Sequence, residues 1–289
     1  VRRRERHEAA GVPGRLLLSL DEALGIPSDI VVEAIGGVRE AGDALAVALN
    51  AGRHVVTANK AVIAARGPAL RALAEREDTT LSCSAAVGGV VPVIETLRGL
   101  RGRVAKIEGV LNGTSNFVLD RLAEGTSLDD AVAEAQALGY AEADPGDDLS
   151  GLDAARKLTL LAREAFGETL DAERIPRAGA AAVGAFRPAG DGKVGRLIAS
   201  LRATEEGCAA SVDLVPVNAA HPLARCRGAN NAVVITLRSG RTIELRGRGA
   251  GRWPTAESVV GDLLELWRDH EPRLGRRAPV LGEFEAVAS

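Results

Sequence analysis

The chain has 289 residues, is 46% hydrophobic and 26% charged, and carries a net charge of −3. That balance excludes a disordered chain, and the absence of a global positive field excludes a nucleic-acid partner. The longest apolar stretch, near Ala85–Ile94, falls far short of the roughly 20 residues that span a bilayer, and no signal-peptide core directly follows the basic start Val1–Arg6, so the expectation is a cytoplasmic protein without a membrane partner.

Residues 29–36 (Asp-Ile-Val-Val-Glu-Ala-Ile-Gly) predict a buried strand, and 39–50 a helix with an alanine- and leucine-rich face that ends at Gly52. A strand over 54–57, a helix over 60–76, a short strand over 81–87 and a helix through 95–100 follow. Strands and helices alternating across short loops predict right-handed βαβ units on a parallel sheet. From about Val104 the character changes. A strand over 106–111 precedes helices over 115–123, 127–138 and 149–166, the last starting after Asp-Pro-Gly-Asp-Asp and stopping at Gly167. Residues 167–192 are rich in alanine, glycine and proline and carry no clear period. Strands return over 194–203, 209–217, 231–238 and 241–247, and Pro254 opens a last helix over 255–268. The predicted fold is α/β: an incomplete, doubly wound Rossmann-type dinucleotide-binding domain over 1–108, joined by the C-terminal helix of 247–289, and a second, α+β domain over 109–246.

A doubly wound domain needs a glycine-rich first turn, where a cofactor pyrophosphate meets a helix N-terminus. No G-x-G-x-x-G follows a first strand here. Gly11-Val12-Pro13-Gly14 has the wrong spacing, and Gly247-Arg248-Gly249-Ala250-Gly251 follows a strand but lacks a second strand to complete the unit. The strand ends at Ala34-Ile35-Gly36-Gly37 and Thr57-Ala58-Asn59-Lys60 fall at the carboxyl edge of the sheet, where ligands bind. With no methionine in the chain, the expectation is that an N-terminal segment of roughly 30–40 residues, about one βα unit, precedes Val1.

Only four of the 36 Lys and Arg residues are lysine: Lys60, Lys106, Lys157 and Lys193. Surface charge is served by either residue, but arginine cannot act as a proton donor, so the surviving lysines are candidates for chemistry. Residues 139–157 hold the single tyrosine, Tyr140, and five carboxylates, Glu142, Asp144, Asp147, Asp148 and Asp153. Asp153 and Lys157 are four apart and share a helix face. The leucines after Lys157 bury that helix, so the lysine needs a partner or a function. A surface ion pair at a helix start is the competing explanation. Asn112-Gly113-Thr114 ends a strand and opens a helix, which suits either an N-cap or donors to a substrate. Cys83, Cys208 and Cys226 have no paired spacing and suit buried free thiols.

Val-Val-Glu-Ala-Ile-Gly-Gly (31–37), Val-Val-Thr-Ala-Asn-Lys-Ala (55–61), Gly-Val-Leu-Asn-Gly-Thr-Ser-Asn-Phe (109–117), Gly-Tyr-Ala-Glu-Ala-Asp-Pro (139–145) and Gly-Leu-Asp-Ala-Ala-Arg-Lys (151–157) together resemble the homoserine dehydrogenases. His221-Pro222-Leu223-Ala224 and 247–255 extend the resemblance. It implies NAD(P)-dependent interconversion of L-aspartate 4-semialdehyde and L-homoserine. Lys157 resembles the proton donor, and Asp153 the carboxylate that orients it. Glu142 and Asp148 resemble groups holding the substrate's amino end, Gly113 and Thr114 the substrate loop, and Lys60 a lysine where cofactor and substrate meet. The same resemblance implies cofactor contacts at Ile35, Gly36, Gly37, Thr57, Asn59, Lys60, Ser84 and Gly249. It implies Na+ at the carbonyls of Val87, Gly89 and Val91, although Ser84 stands where many members carry glutamate. The second domain is then the substrate-binding and dimerisation domain of a homodimer. The arginine-rich start Arg2–Arg6 favours NADP over NAD. Too few residues follow the last helix for a C-terminal regulatory domain, so the resemblance is to a short form without threonine feedback. A non-catalytic homologue and a dehydrogenase for a related small amino acid are the alternatives.

Overall fold

The computed structural model describes residues 19–86, 91–186, 192–248 and 252–274. After a short helix α1 (Leu20–Gly25), strands β1 (Ile30–Glu33), β2 (His54–Thr57) and β3 (Leu81–Ser82) form a parallel sheet in the order β1-β2-β3. Helix α2 (Arg39–Asn50) links the first two strands and α3 (Lys60–Arg76) the second and third. Both helices keep the predicted bounds. Helix α2 buries Ala41, Ala44, Leu45, Ala48 and Leu49, the spacing of a single helix face, and closes at Gly52 with φ of 70°. The register sets Glu33 beside Thr57, so the last residues of β1 and β2 meet at the carboxyl edge.

Two strands are shorter than predicted, for local reasons. The first stops at Glu33 because its own carboxylate accepts hydrogen bonds from the backbone N–H groups of Ile35 and Gly36, which turns the chain. The strand predicted over 81–87 ends at Ser82, and Ser84–Ala86 form a 3-10 turn closed by Ala86 N–H on the Cys83 carbonyl. Helix α4 (Val93–Arg98) then leads to the second sheet.

That sheet is antiparallel throughout, with β4 (Val104–Val110) at its centre and the order β6-β5-β4-β7-β8. Between β4 and β5 the chain forms α5 (Gly113–Ala123), α6 (Leu128–Ala137), α7 (Gly146–Leu149), α8 (Leu152–Phe166) and α9 (Gly179–Ala185). Strands β5 (Lys193–Thr204), β6 (Gly207–Asn218), β7 (Asn230–Leu237) and β8 (Thr242–Arg248) complete it. The helix predicted as one piece over 149–166 is broken at Gly151, whose φ is 79° and whose missing side chain admits Val212 from β6.

Helix α8 packs on β5 and β6 and also against α3 and α4, so one helix touches both layers. A single apolar cluster accordingly runs from Leu45 and Val55 through Leu158 and Leu161 to Leu201 and Ile235. Ile198 and Val234, on the alternate face of β5 and β7, belong to a smaller cluster under Leu223. Helix α10 (Arg252–Leu274) packs on β2 and on the 84–86 turn. No helix among the described residues is long and apolar enough to cross a membrane.

Candidate active site

The carboxyl ends of β1 and β2 are tied by one buried carboxylate. Glu33 is 4% exposed, and its Oε2 accepts from the Thr57 hydroxyl at 2.5 Å. Its Oε1 accepts from Ile35 N–H at 2.8 Å, Gly36 N–H at 3.2 Å and Asn59 Nδ2 at 3.4 Å. Asn59 Nδ2 also donates to the Gly37 carbonyl at 2.8 Å, while its Oδ1 caps α3 at Val62 N–H. Gly36 and Gly37 have φ of 78° and 77°, and a Cβ on either would meet only open space. The outcome is a bare left-handed backbone turn held to Asn59, the N-cap of α3, one residue before Lys60.

Lys60 Nζ lies 2.5 Å from Asp153 Oδ1, and Lys157 Nζ lies 2.6 Å from Asp153 Oδ2. Lys157 also donates to the Leu111 carbonyl at 2.5 Å and is 5% exposed. Asn112 caps α5 through Ser115 N–H, and its amide donates to Asp148 at 2.6 Å and to Asp153 at 2.9 Å. One residue thus serves as helix cap and as orienter of two carboxylates. Burial works to raise the Asp153 carboxyl, but Lys157 and Lys60 together outweigh it and hold it well below the usual carboxylate range. Burial pulls the Lys157 ammonium below its ordinary value, against the attraction of Asp153 and with the repulsion of Lys60. Burial raises the Asp148 carboxyl, opposed by its bond from Asn112.

These groups line a cleft of about 1420 Å³ between the two sheets. Of the residues singled out in the sequence, Gly36, Asn59, Lys60, Gly113, Thr114, Glu142, Asp148, Asp153 and Lys157 line it. Gly113 lies so close to the Ala229 carbonyl that a Cβ would sit 2.6 Å from it, and the Thr114 hydroxyl donates to the Tyr140 carbonyl. Ile35, Gly37, Thr57, Ser84 and Val91 are not on the wall. Thr57 is fully buried, with its hydroxyl engaged by Glu33 and Asn59. Ala85 and Ala86 occupy the wall beside Ser84. Val87, Gly89 and Gly249 lie outside the described residues. Two of the four lysines meet at the site, whereas Lys106 pairs with Glu108 at 2.8 Å on the sheet. Sequence reasoning missed Glu33, although a carboxylate ending a Val-Val run just before two glycines was a usable signal.

Ser84 is 4% exposed and its N–H donates to Asp262 Oδ2 of α10 at 3.0 Å. Burial lifts the Asp262 carboxyl to about 6, with Glu95 pushing the same way against the Ser84 bond. A folded-state value above the unfolded one of about 3.9 means that stability is lost as pH rises through 6. Asp262→Asn is therefore expected to stabilise the protein by about 1–2 kcal/mol at pH 8 and by little at pH 4. Urea melts at the two pH values check this, and an equal gain at both would refute it. Among the described residues no group of three His, Cys, Asp or Glu side chains has metal-binding geometry.

A parallel sheet with a bare glycine turn at its carboxyl edge, facing an antiparallel domain that supplies an acid–lysine cluster, defines a two-part protein with a Rossmann-like, NAD-binding domain. The family profile described as homoserine dehydrogenase matches residues 92–264, and that of the homoserine dehydrogenase NAD binding domain matches residues 1–83. The chain belongs to the homoserine dehydrogenase family. It is similar to the homoserine dehydrogenase of Synechocystis, 37% identical over 92% of this chain and 64% of that one. It is 39% identical to that of Pseudomonas aeruginosa over 86% of this chain and 58% of the relative. Among solved structures, the Thiobacillus denitrificans homoserine dehydrogenase superposes with a TM-score of 0.84 at 36% identity, covering 96% of this chain and 66% of that one. A hyperthermophilic archaeal homoserine dehydrogenase in complex with NADPH superposes with a TM-score of 0.78 at 30% identity, covering 92% and 82%. The chain thus spans less than two thirds of the length of these curated bacterial relatives, 64% and 58%.

Proposed function

We propose that the protein interconverts L-aspartate 4-semialdehyde and L-homoserine with NADP or NAD, using Lys157 as proton donor and acceptor. The observation that carries this reading is the buried Lys157 ammonium, held by Asp153 and the Leu111 carbonyl on the wall of a cleft that also receives Lys60. The cofactor, when bound, supplies or accepts the hydride. The chain's own groups do the rest. The Lys157 charge stabilises negative charge developing on the substrate oxygen and delivers the proton there. Glu142 and Asp148 attract the substrate's ammonium group, and Gly113 and Thr114 bound its other side. Asp153 fixes both lysines at once. Gly36, Asn59 and Lys60 face the cofactor, while Ile35, Gly37 and Thr57 shape the turn behind them. Ser84, buried behind the wall that Ala85 and Ala86 form, supports the site without facing the cofactor; Gly249 completes the cofactor contacts, and the NADPH complex of the archaeal relative supports NADP as one of the pair.

The expected borders at 108/109 and 246/247 fall inside β4 and β8, so the dinucleotide part comprises the residues before β4 with the C-terminal helix region, and the substrate part runs from β4 through β8, whose sheet joins two copies into a homodimer in the cytoplasm. Na+ at the carbonyls of Val87, Gly89 and Val91 completes the reading. Among these only Val91 lies within the described residues, where it is buried.

The test is L-homoserine with NAD or NADP, following reduced cofactor, beside a panel of other small amino alcohols. Turnover fastest with homoserine is expected. Faster turnover of another member, or none in a folded preparation extended upstream of Val1, would overturn the assignment.

Glu33 should act through the turn and not on the substrate. Its carboxylate accepts from four donors, and charge-assisted bonds of this kind contribute about 1.5–3 kcal/mol. Glu33→Gln is expected to raise KM for the dinucleotide about tenfold while changing kcat less. Steady-state kinetics with cofactor titrated would check it; an unchanged KM would show that the turn holds without the charge.

A further inference from the structure

Helices α3 and α8 both begin at the cleft, with Lys60 on one and Asp153 and Lys157 on the other. Their later turns line a second cavity of about 680 Å³, together with Arg101, Val104, Ala203 and Arg238. We propose that this second cavity binds a small molecule through an oxyanion, a phosphate or carboxylate group, held by Arg71 of α3 and Arg163 of α8.

The charge balance points that way. The cavity is lined by Arg71, Arg101, Arg163 and Arg238 and by Glu75, Glu164 and Glu168. The single deeply buried carboxylate, Glu164 at 2% exposure, is already shared by three guanidiniums, Arg71 at 2.8 Å, Arg101 at 3.4 Å and Arg98 at 3.9 Å. Arg98 has a closer partner in Glu265 at 3.2 Å, so Glu164 is left to balance Arg71 and Arg101, and Glu75 stands exposed to solvent. Arg71 Nε is buried and has no hydrogen-bond partner among the described residues. Arg163 forms no ion pair among the described residues, and burial followed by the repulsion of Arg71 pulls its guanidinium below its ordinary value against the weaker attraction of Glu164 and Glu75.

Guanidinium groups match phosphate and carboxylate oxygens in a two-pronged way that few other groups reproduce. The volume admits more than a bare ion, and Pro68, Ala72, Val104 and Phe166 supply apolar wall for an organic body. An oxyanion between Arg71 and Arg163 replaces repulsion between α3 and α8 by attraction to a shared partner. The same two helices hold the Lys60–Asp153 contact of 2.5 Å at their first turns.

The experiment is calorimetric titration of the whole chain with inorganic phosphate and, separately, with citrate, in chloride buffer. Saturable binding is expected, with a rise in melting midpoint of about 2 °C at ten times the Kd. Arg163→Gln leaves Glu164 with all three of its partners, so its midpoint in chloride should be unchanged while binding weakens at least about tenfold. Arg238→Gln, also on the cavity wall, should weaken binding likewise and serves if the first variant does not fold. Binding of phosphate alone marks a phosphate-bearing ligand, and of citrate alone a carboxylate. No saturable binding at about 10 mM of either probe, or full affinity in both variants, would overturn the proposal.

Discussion

Replacing Lys157 with methionine is expected to lower kcat about 10²–10⁴-fold in both directions while the protein stays folded. The fold should survive because no group is stranded. Asp153 keeps Lys60 at 2.5 Å and the Asn112 amide at 2.9 Å, and the Leu111 carbonyl keeps the Asn231 amide at 3.2 Å. Methionine fills the same slot without a charge. The chemistry should not survive, because nothing else so buried in the cleft can deliver a proton. The pH profile gives a second readout. In the proposed mechanism alcohol oxidation needs Lys157 unprotonated, so its rate should climb with pH and level off below the ordinary lysine value near 10.4, since burial lowers the ammonium. That limb should vanish in the variant. A kcat within about threefold of the parent would mean that the proton moves through another group.

The companion substitution, Asp153→Asn, should damage stability as well as turnover. It removes the charge that two ammoniums share and leaves Lys157, 5% exposed, facing Lys60 without a counter-ion. Stranding one member of a buried pair costs about 3–5 kcal/mol. Lys157 responds by giving up its proton more readily, so its folded value drops further below the unfolded one. Between those two values the unfolded chain binds more protons, and stability rises with pH. Urea melts should therefore show the full deficit near pH 7 and a smaller one near pH 9.5. In the parent, the Asp153 carboxyl is depressed, so its contribution is complete above about 3.9 and is lost only as pH falls below that. A deficit identical at pH 7 and pH 9.5 would show that Lys157 is not the group left stranded.

The two variants also separate roles. Loss of Lys157 removes the proposed proton carrier alone, whereas loss of Asp153 disturbs that lysine, Lys60 and the Asn112 cap together. A larger stability loss with Asp153→Asn than with Lys157→Met is the signature of that difference.

Much of this was legible in the residues themselves. Helices over 39–50 and 60–76 are bounded as predicted because their ends are local: Gly52 takes a left-handed turn, and Asn59 caps the helix that follows it. The Asp153–Lys157 pair follows from helical spacing, and the scarcity of lysine narrows the candidates to four, of which Lys60 and Lys157 reach the cleft. What the chain order could not disclose are contacts between distant segments. Glu33 reaches Thr57 and Asn59 across 24 and 26 residues, Lys60 reaches Asp153 across 93, and Ser84 reaches Asp262 across 178. The break at Gly151 is of the same kind, since only the approach of Val212 from β6 makes a bare backbone necessary there. Periodicity and capping record energies between residues a few positions apart. Partners brought together by sheet register and helix packing are chosen only when the loops between them close and the shared core excludes water. The sequence by itself determined the elements, their alternation and the identity of the acid–lysine pair; the tertiary structure alone decided that a single carboxylate, Asp153, would hold both lysines.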